Sequence, residues 1–252
     1  MVDTLYDYVD SAVALSRVLD AVRRHDPIAM DTEADSLHHY FEKVCLVQLS
    51  AGDKNYIIDP LAGLDLTPLL EALSDKTIIF HGADYDLHML HQFYGFRPRR
   101  TPFDTMLAAQ MLGHRELSLA ALVERYFCVR LAKQGQKADW SKRPIAEHLL
   151  EYASNDTRYL IALKQMLRDE LIRLDRLAWH EEACLQTVRT ALQYNASKNP
   201  DSEWRIKGSS TLEPASLAVL KGLWYWRDAE ARRADVPVFK VMNNRALLDL
   251  SV

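Results

Sequence analysis

Four carboxylates and one tyrosine, spread over three separated segments, are the groups in this chain with chemistry to do. They are Asp31 and Glu33 in AMDTEAD, Asp86 in FHGADYDLHML, and Tyr152 with Asp156 in EYASNDTRYL. Brought together, they make an acidic cluster that two divalent cations, Mg²⁺ or Mn²⁺, would have to neutralise. Cleaving a phosphodiester adds an oxygen nucleophile to an already anionic phosphorus and expels an alkoxide. Charge neutralisation therefore dominates the barrier, and two ions about 4 Å apart supply it. Both metals suit a site of Asp and Glu with no thiolate. A tyrosine one helical turn from a liganding aspartate can hold the attacking water by its hydroxyl, and Tyr152 has that spacing from Asp156.

The elements that must position these groups can be read from the pattern. Asp31 and Glu33 follow the apolar run Ile28-Ala29-Met30, and alternate strand residues share a face, so both acids point the same way. Around Tyr152 and Asp156, Leu149, Ala153, Leu160, Leu163 and Leu167 recur at helical spacing, which sets the pair beside a buried stripe. Asp86 opens a helical run just after the strand-like Thr77-Ile78-Ile79-Phe80, where active-site groups of α/β sheets sit. Residues 5–25 read as an amphipathic helix, 44–50 and 54–59 as strands joined at Ala51-Gly52-Asp53, and 66–73 as a helix. From Phe103 the signals are mostly helical: Asp104 capping 106–112, a helix over 117–127, a basic loop, and one long helix from Pro144 to Leu167.

This order predicts an α/β fold, a mixed five-stranded sheet flanked by helices over residues 1–170. A helical connector over 171–209 follows, broken at Asn199-Pro200-Asp201-Ser202. The region 210–252 is also helical, with one long helix ending before Pro237 and at most one more after it.

At 252 residues, 48% hydrophobic and 26% charged, the chain can bury one substantial core and carry a smaller appendage. Cys45, Cys128 and Cys184 form no CxxC pair, which argues against a disulfide framework or a zinc ribbon. His88 and His91 lack further ligands at zinc spacing and read as surface histidines. The absence of GxxxxGK excludes a fused P-loop ATPase. The acidic start MVDTLYDYVD lacks a basic stretch followed by an apolar block, and no apolar run is long enough to span a bilayer. The expected setting is reduced and cytoplasmic, with no membrane partner.

A net charge of −4 neither demands nor excludes a polyanionic substrate. Locally, VRLAKQGQKADWSKRP sets Arg130, Lys133, Lys137, Lys142 and Arg143 against Asp139, around Trp140. That segment either meets phosphates and stacks a base or is a solvated loop with one half-buried tryptophan.

Taken jointly, the motifs resemble those of the bacterial RNase D group of DEDDy 3′-to-5′ exonucleases, within the RNase H-like, DnaQ-like superfamily. The likeness spans about residues 5–170. It rests on DTE at 31–33, the His81-Gly82 stretch ending at Asp86-Leu87, Phe103-Asp104-Thr105, Asp139-Trp140-Ser141-x-Arg143-Pro144, and Tyr152-x-x-x-Asp156. It implies an RNase H-like sheet, with Asp31, Glu33 and Asp156 on a first metal and Asp31 bridging to a second. Asp86 would support the second metal directly or through water, and Tyr152 would orient the nucleophile.

The implied substrates are single-stranded RNA 3′ ends, of tRNA precursors or other small RNAs, shortened one nucleotide at a time with release of 5′-monophosphates. Single-stranded DNA is the alternative polymer. A catalytically silent nucleic-acid-binding module is the alternative class, but such a module is expected to have lost an acid, and here all four stand with Tyr152. His81, Lys137, Trp140 and Arg143 are candidates for substrate contact, although His81 also reads as satisfying a backbone carbonyl. Asp104 reads as a helix cap rather than a ligand.

The stretch from Leu212 onward resembles the start of an HRDC domain, a small helical module, with fewer residues than a complete one needs. Leu223, Trp224 and Trp226 are then expected to pack on the catalytic domain or on a second copy of the chain. The sequence leaves the oligomeric state open.

Overall fold

A computed structural model describes residues 5–132, 135–193 and 202–252. Lys133 of the basic segment and the expected break at 199–201 lie outside them. The chain begins with β1 (Asp7–Val9), α1 (Ala12–Arg24), β2 (Ile28–Ala34), β3 (Val44–Ala51), β4 (Lys54–Ile58), α2 (Thr67–Ser74), β5 (Ile78–Phe80) and α3 (Ala83–Tyr94). It continues through β6 (Phe103–Asp104), α4 (Thr105–Met111), α5 (Leu119–Phe127), α6 (Glu147–Arg158), α7 (Leu160–Arg173) and α8 (Leu177–Gln193). The last helices are α9 (Pro214–Ala234), α10 (Val238–Val241) and α11 (Asn244–Asp249).

The strands form one mixed sheet in the order β1-β4-β3-β2-β5-β6, antiparallel at β4-β3-β2 and parallel elsewhere. It has six strands where five were expected. The pattern places only β2, β3, β4 and β5 by residue number; it does not place the short β1 and β6, and β1 falls within residues read as helix. Tyr8 and Val9 favour extended backbone, and Ser11 accepts from the Ala14 amide as N-cap of α1, so the helix begins only after it.

Helices cover both faces of the sheet, so β3 is buried along its whole length, as its near-continuous apolar run requires. Alternation in β2 splits the core. Ile28 and Met30 join a cluster with residues of α1, α2 and α3, whereas Ala29 joins Leu122, Leu163 and Leu167 on the opposite side. Asp31 and Glu33 share the face of Ala29. The expected helix from Pro144 to Leu167 is two helices meeting at Tyr159. The break follows from packing: Ala153 of α6 faces Cys45, Leu46, Ile57 and Trp140, while Leu160, Leu163, Leu167 and Leu171 of α7 face the Ala29 cluster. No single straight stripe serves both.

Two candidate substrate contacts are structural instead. Trp140 is 2% exposed and packs on the Tyr152 ring, centroids 6.2 Å apart, so it offers no face to a base. Arg143 donates to Asp59 at 2.6 and 2.7 Å, to the Cys45 carbonyl at 2.9 Å and to the Trp140 carbonyl at 2.7 Å. Tyr8 donates to the same Asp59 carboxylate at 2.6 Å. The basic loop is thus fastened by one guanidinium to β3 and to Asp59 just past β4, and Tyr8 of β1 holds the same carboxylate. His88, read as a surface residue, is buried in α3.

The chain divides into two compact units, and the second joins Asp35–Lys43 to Tyr194–Val252. Within it, Trp204, Leu220 and Leu247 form a small core that Leu223 and Trp224 pack against, while Trp226 stays exposed. Leu223 and Trp224 therefore serve their own unit, contrary to expectation. Two short helices, α10 and α11, follow α9 where at most one was expected. The loop 35–43 is held by α9 and its cap: Asp235 accepts from the Tyr40 and Phe41 amides at 3.1 and 3.2 Å, and Tyr40 donates to Asp228 at 2.9 Å. Among the described residues no helix is long and apolar enough to cross a membrane.

Burial alone would raise the Asp59 carboxyl, but hydrogen bonds from Arg143 and Tyr8 outweigh it and hold its pKa below the ordinary value. A carboxyl depressed in the folded state contributes stability above its unfolded pKa of about 4, which is lost as pH falls through the lower folded value. Arg143→Ala, which strands this buried carboxylate, is expected to cost about 3 kcal/mol at pH 7. Urea denaturation at neutral pH and near pH 3 should show that deficit shrink as Asp59 takes up a proton.

Candidate active site

The acids arrive from three elements. Asp31 and Glu33 leave β2 on one face, and Asp156 comes down from α6, which crosses that face beside β2 and β3. One carboxylate oxygen from each of Asp31, Glu33 and Asp156 lies within 4.8 Å of the other two. Asp86 reaches the same cleft from the first turn of α3, where the helix dipole favours an acid. It stands outside the tight triad, accepting a 2.6 Å hydrogen bond from Thr32, the residue between the two β2 acids that points to the opposite face.

Two local devices set the start of α3. Gly82, at φ 87°, makes the turn from β5 in a conformation that a β-carbon would strain. Asp104 accepts from the Gly82 and Ala83 amides at 3.1 and 2.8 Å and from the Met106 and Leu107 amides at 2.8 and 3.1 Å. One carboxylate therefore caps α3 and α4 together, and its role is the structural one read from the sequence.

Asp31, Thr32, Glu33, His81, Tyr85, Asp86, Tyr152 and Asp156 line an open cleft of about 510 Å³, closed on the other side by Ser118, Leu119, Ala120, Leu131, Ala132 and Gln136. No lysine or arginine is among these described lining residues. The electrostatic result is mutual destabilisation of charge. Burial first, then the charges of Asp86, Asp156 and Glu33, push the Asp31 carboxyl well above the usual carboxylate range. Burial with Asp156 and Asp86 does the same to Glu33. Asp86 and Asp156 are both raised to about 7, chiefly by burial.

Four such groups cannot all ionise at neutral pH without a counter-charge. An all-oxygen donor set this close fits a hard divalent cation. The Tyr152 phenol is raised by burial and by Asp156, Glu33 and Asp31, so it stays protonated, and its hydroxyl helps hold Asp156 in the charged form.

The structure thus gathers Asp31, Glu33, Asp86, Tyr152 and Asp156 around one cleft. His81 lines it too, but its Nδ1 meets Thr105 Oγ1 at 2.9 Å, and that hydroxyl donates to the Phe80 carbonyl at 3.0 Å. The ring also hydrogen-bonds the Leu117 backbone, as expected of a histidine satisfying a carbonyl, and burial lowers its pKa although that bond and Asp104 oppose the shift. Lys137 is exposed and does not line the cleft. Sequence reasoning missed Thr32, Tyr85, Leu119 and Gln136. Of these only Thr32 carried a signal, its place inside DTE.

A mixed sheet of this order, with acids from β2, α3 and α6 around one cleft, defines an RNase H-like fold with an acidic centre. The model of the 3′-5′ exonuclease family matches residues 6–172, and the chain belongs to that family. The HRDC domain model matches residues 216–252. Ribonuclease D of Zymomonas mobilis is 32% identical over 98% of this chain and 64% of its own length. The chain thus spans somewhat under two thirds of that relative.

Among solved structures, Escherichia coli RNase D, an exoribonuclease involved in structured RNA processing, aligns with TM-score 0.78 at 28% identity over 98% of this chain and 66% of that one. Brucella melitensis NrnC with bound Mg²⁺ aligns with TM-score 0.62 at 26% identity, over 72% of this chain and 92% of that one.

Asp31→Asn removes one charge from a self-repelling cluster and so should leave the metal-free melting temperature unchanged or higher. Mn²⁺ should raise the melting temperature of the wild type and not of the variant. Scanning fluorimetry with added Mn²⁺ or EDTA checks both outcomes.

Proposed function

We propose that this protein is a metal-dependent 3′-to-5′ exoribonuclease of the RNase D type. It would remove nucleotides one at a time from single-stranded 3′ ends of tRNA precursors or other small RNAs, releasing 5′-monophosphates. The observation that carries this reading is the triad of carboxylate oxygens within 4.8 Å, with Tyr152 beside it in an open cleft. Family membership and the likeness to RNase D support the polymer and the direction.

Asp31, Glu33 and Asp156 would hold one Mg²⁺ or Mn²⁺, with Asp31 shared toward a second ion and Asp86 supporting that one. When bound, the ions would neutralise charge developing on the attacked phosphate and the leaving oxygen. A bound Mg²⁺ in NrnC supports this assignment. Tyr152 would orient the attacking water. Its raised pKa makes it a hydrogen-bonding guide and not a base. Tyr85, Leu119 and Leu131 give the cleft apolar surface, against which the terminal base can pack. His81 stands where it can contact the terminal nucleotide, and Lys137 is assigned to the approaching strand only by its charge.

Incubation with 3′-labelled and 5′-labelled single strands of RNA and DNA, with and without EDTA, tests direction, polymer and metal need together. Stepwise shortening of 5′-labelled RNA that EDTA stops is expected. Cleavage insensitive to EDTA, or internal cuts, would refute the reading. Tyr152→Phe should lower kcat by roughly ten- to a hundred-fold while KM for RNA holds, because it disturbs only the water. Steady-state rates against RNA concentration separate the two.

A further inference from the structure

Gln48 is a buried polar group that neither the core nor the proposed mechanism explains. It lies mid-strand in β3, 0% exposed, and neither its amide nitrogen nor its amide oxygen has a hydrogen-bond partner among the described residues. Its Cα is paired with that of Asp31 across the β2–β3 ladder. Residues directly opposed in an antiparallel pair project from the same face with Cβ atoms about 5 Å apart. The Gln48 side chain therefore leaves β3 beside the Asp31 side chain, on the same face of the sheet.

The same face is covered by α6. Ser50, two residues along β3, donates to Thr157 at 2.8 Å, one residue past Asp156. Ala153 packs with Leu46 and Ile57, and Ile57 is the partner of Gln48 in β4. Gln48 thus occupies the layer between the strand that carries Asp31 and the helix that carries Tyr152 and Asp156.

An unpaired buried amide destabilises a fold, and a methionine or leucine of similar volume would fill the space without that penalty. Such groups in native structures call for a reason other than packing. We propose that Gln48 is a positioning residue for Asp31, its unpartnered amide N–H being the donor that the Asp31 carboxylate meets when it turns toward a cation. Liganding carboxylates are commonly held by hydrogen bonds of this kind, and losing one typically weakens metal affinity or activity by ten- to a hundred-fold. The inference rests on the exonuclease reading above.

The test uses Gln48→Met and Gln48→Leu in the full chain. Three measurements are needed: melting temperature in EDTA, Mn²⁺ binding by calorimetry, and steady-state hydrolysis of a single-stranded RNA. The melting temperature is expected to hold or rise, while kcat falls roughly ten-fold, the Mn²⁺ dissociation constant rises by a similar factor, and KM for RNA stays within about two-fold. A purely structural Gln48 cannot produce stability and turnover moving in opposite directions.

Wild-type kcat and Mn²⁺ affinity in both variants would overturn the inference. So would a clear loss of stability or failure to fold, since the amide would then be serving the core. A wild-type protein inactive on every strand would instead remove the exonuclease reading itself.

Discussion

Repulsion among Asp31, Glu33, Asp86 and Asp156 is the constraint around which the rest of this structure is arranged. Burial raises the pKa of all four carboxyls, and neighbouring acids add to it, most fully at Asp31, which feels Asp86, Asp156 and Glu33. No solvated loop would hold them so close against that repulsion. Here they are carried by a strand in mid-sheet and by two helices whose apolar stripes are locked into the core, so the cost is met by burial elsewhere. Asp31 and Glu33 cannot separate without breaking the β2–β3 ladder, and Asp156 cannot retreat without lifting α6 from β3.

Two other buried aspartates, Asp59 and Asp104, show the opposite solution. Asp59 is held charged by a guanidinium and a phenol, and Asp104 accepts hydrogen bonds from four backbone amides. Both are fully partnered, and both fix the relative placement of elements. Asp59 secures the segment before α6, and Asp104 sets the first turn of α3 that aims Asp86. The contrast separates acids that hold the fold together from acids that the fold must restrain, and only the second kind is suited to collecting a cation.

Charge and aromaticity in the basic segment point to nucleic acid when read along the chain, yet two of its side chains turn inward. A tryptophan beside lysines reads equally as a stacking platform or as a core residue. The outcome depends on whether another element covers it, and α6 supplies that cover through Tyr152. Arg143 was drawn inward by an acid 84 residues away, a partner no local spacing reveals.

Local chemistry decided much. The two-residue spacing of Asp31 and Glu33, the four-residue spacing of Tyr152 and Asp156, the cap at Asp104 and the strands 28–34, 44–51 and 54–58 depend on short-range geometry, and all are legible in the sequence alone. Tertiary structure decided what depends on distant partners: the edge strand β1, which exists because β4 is there to pair with it, and the break at Tyr159, imposed by two separate core faces. It also decided the inward turn of Trp140 and Arg143, and the placement of Gln48 opposite Asp31. A hydrogen-bond register and a shared cavity are relations between segments that folding alone brings into contact, so no single segment carries their signal.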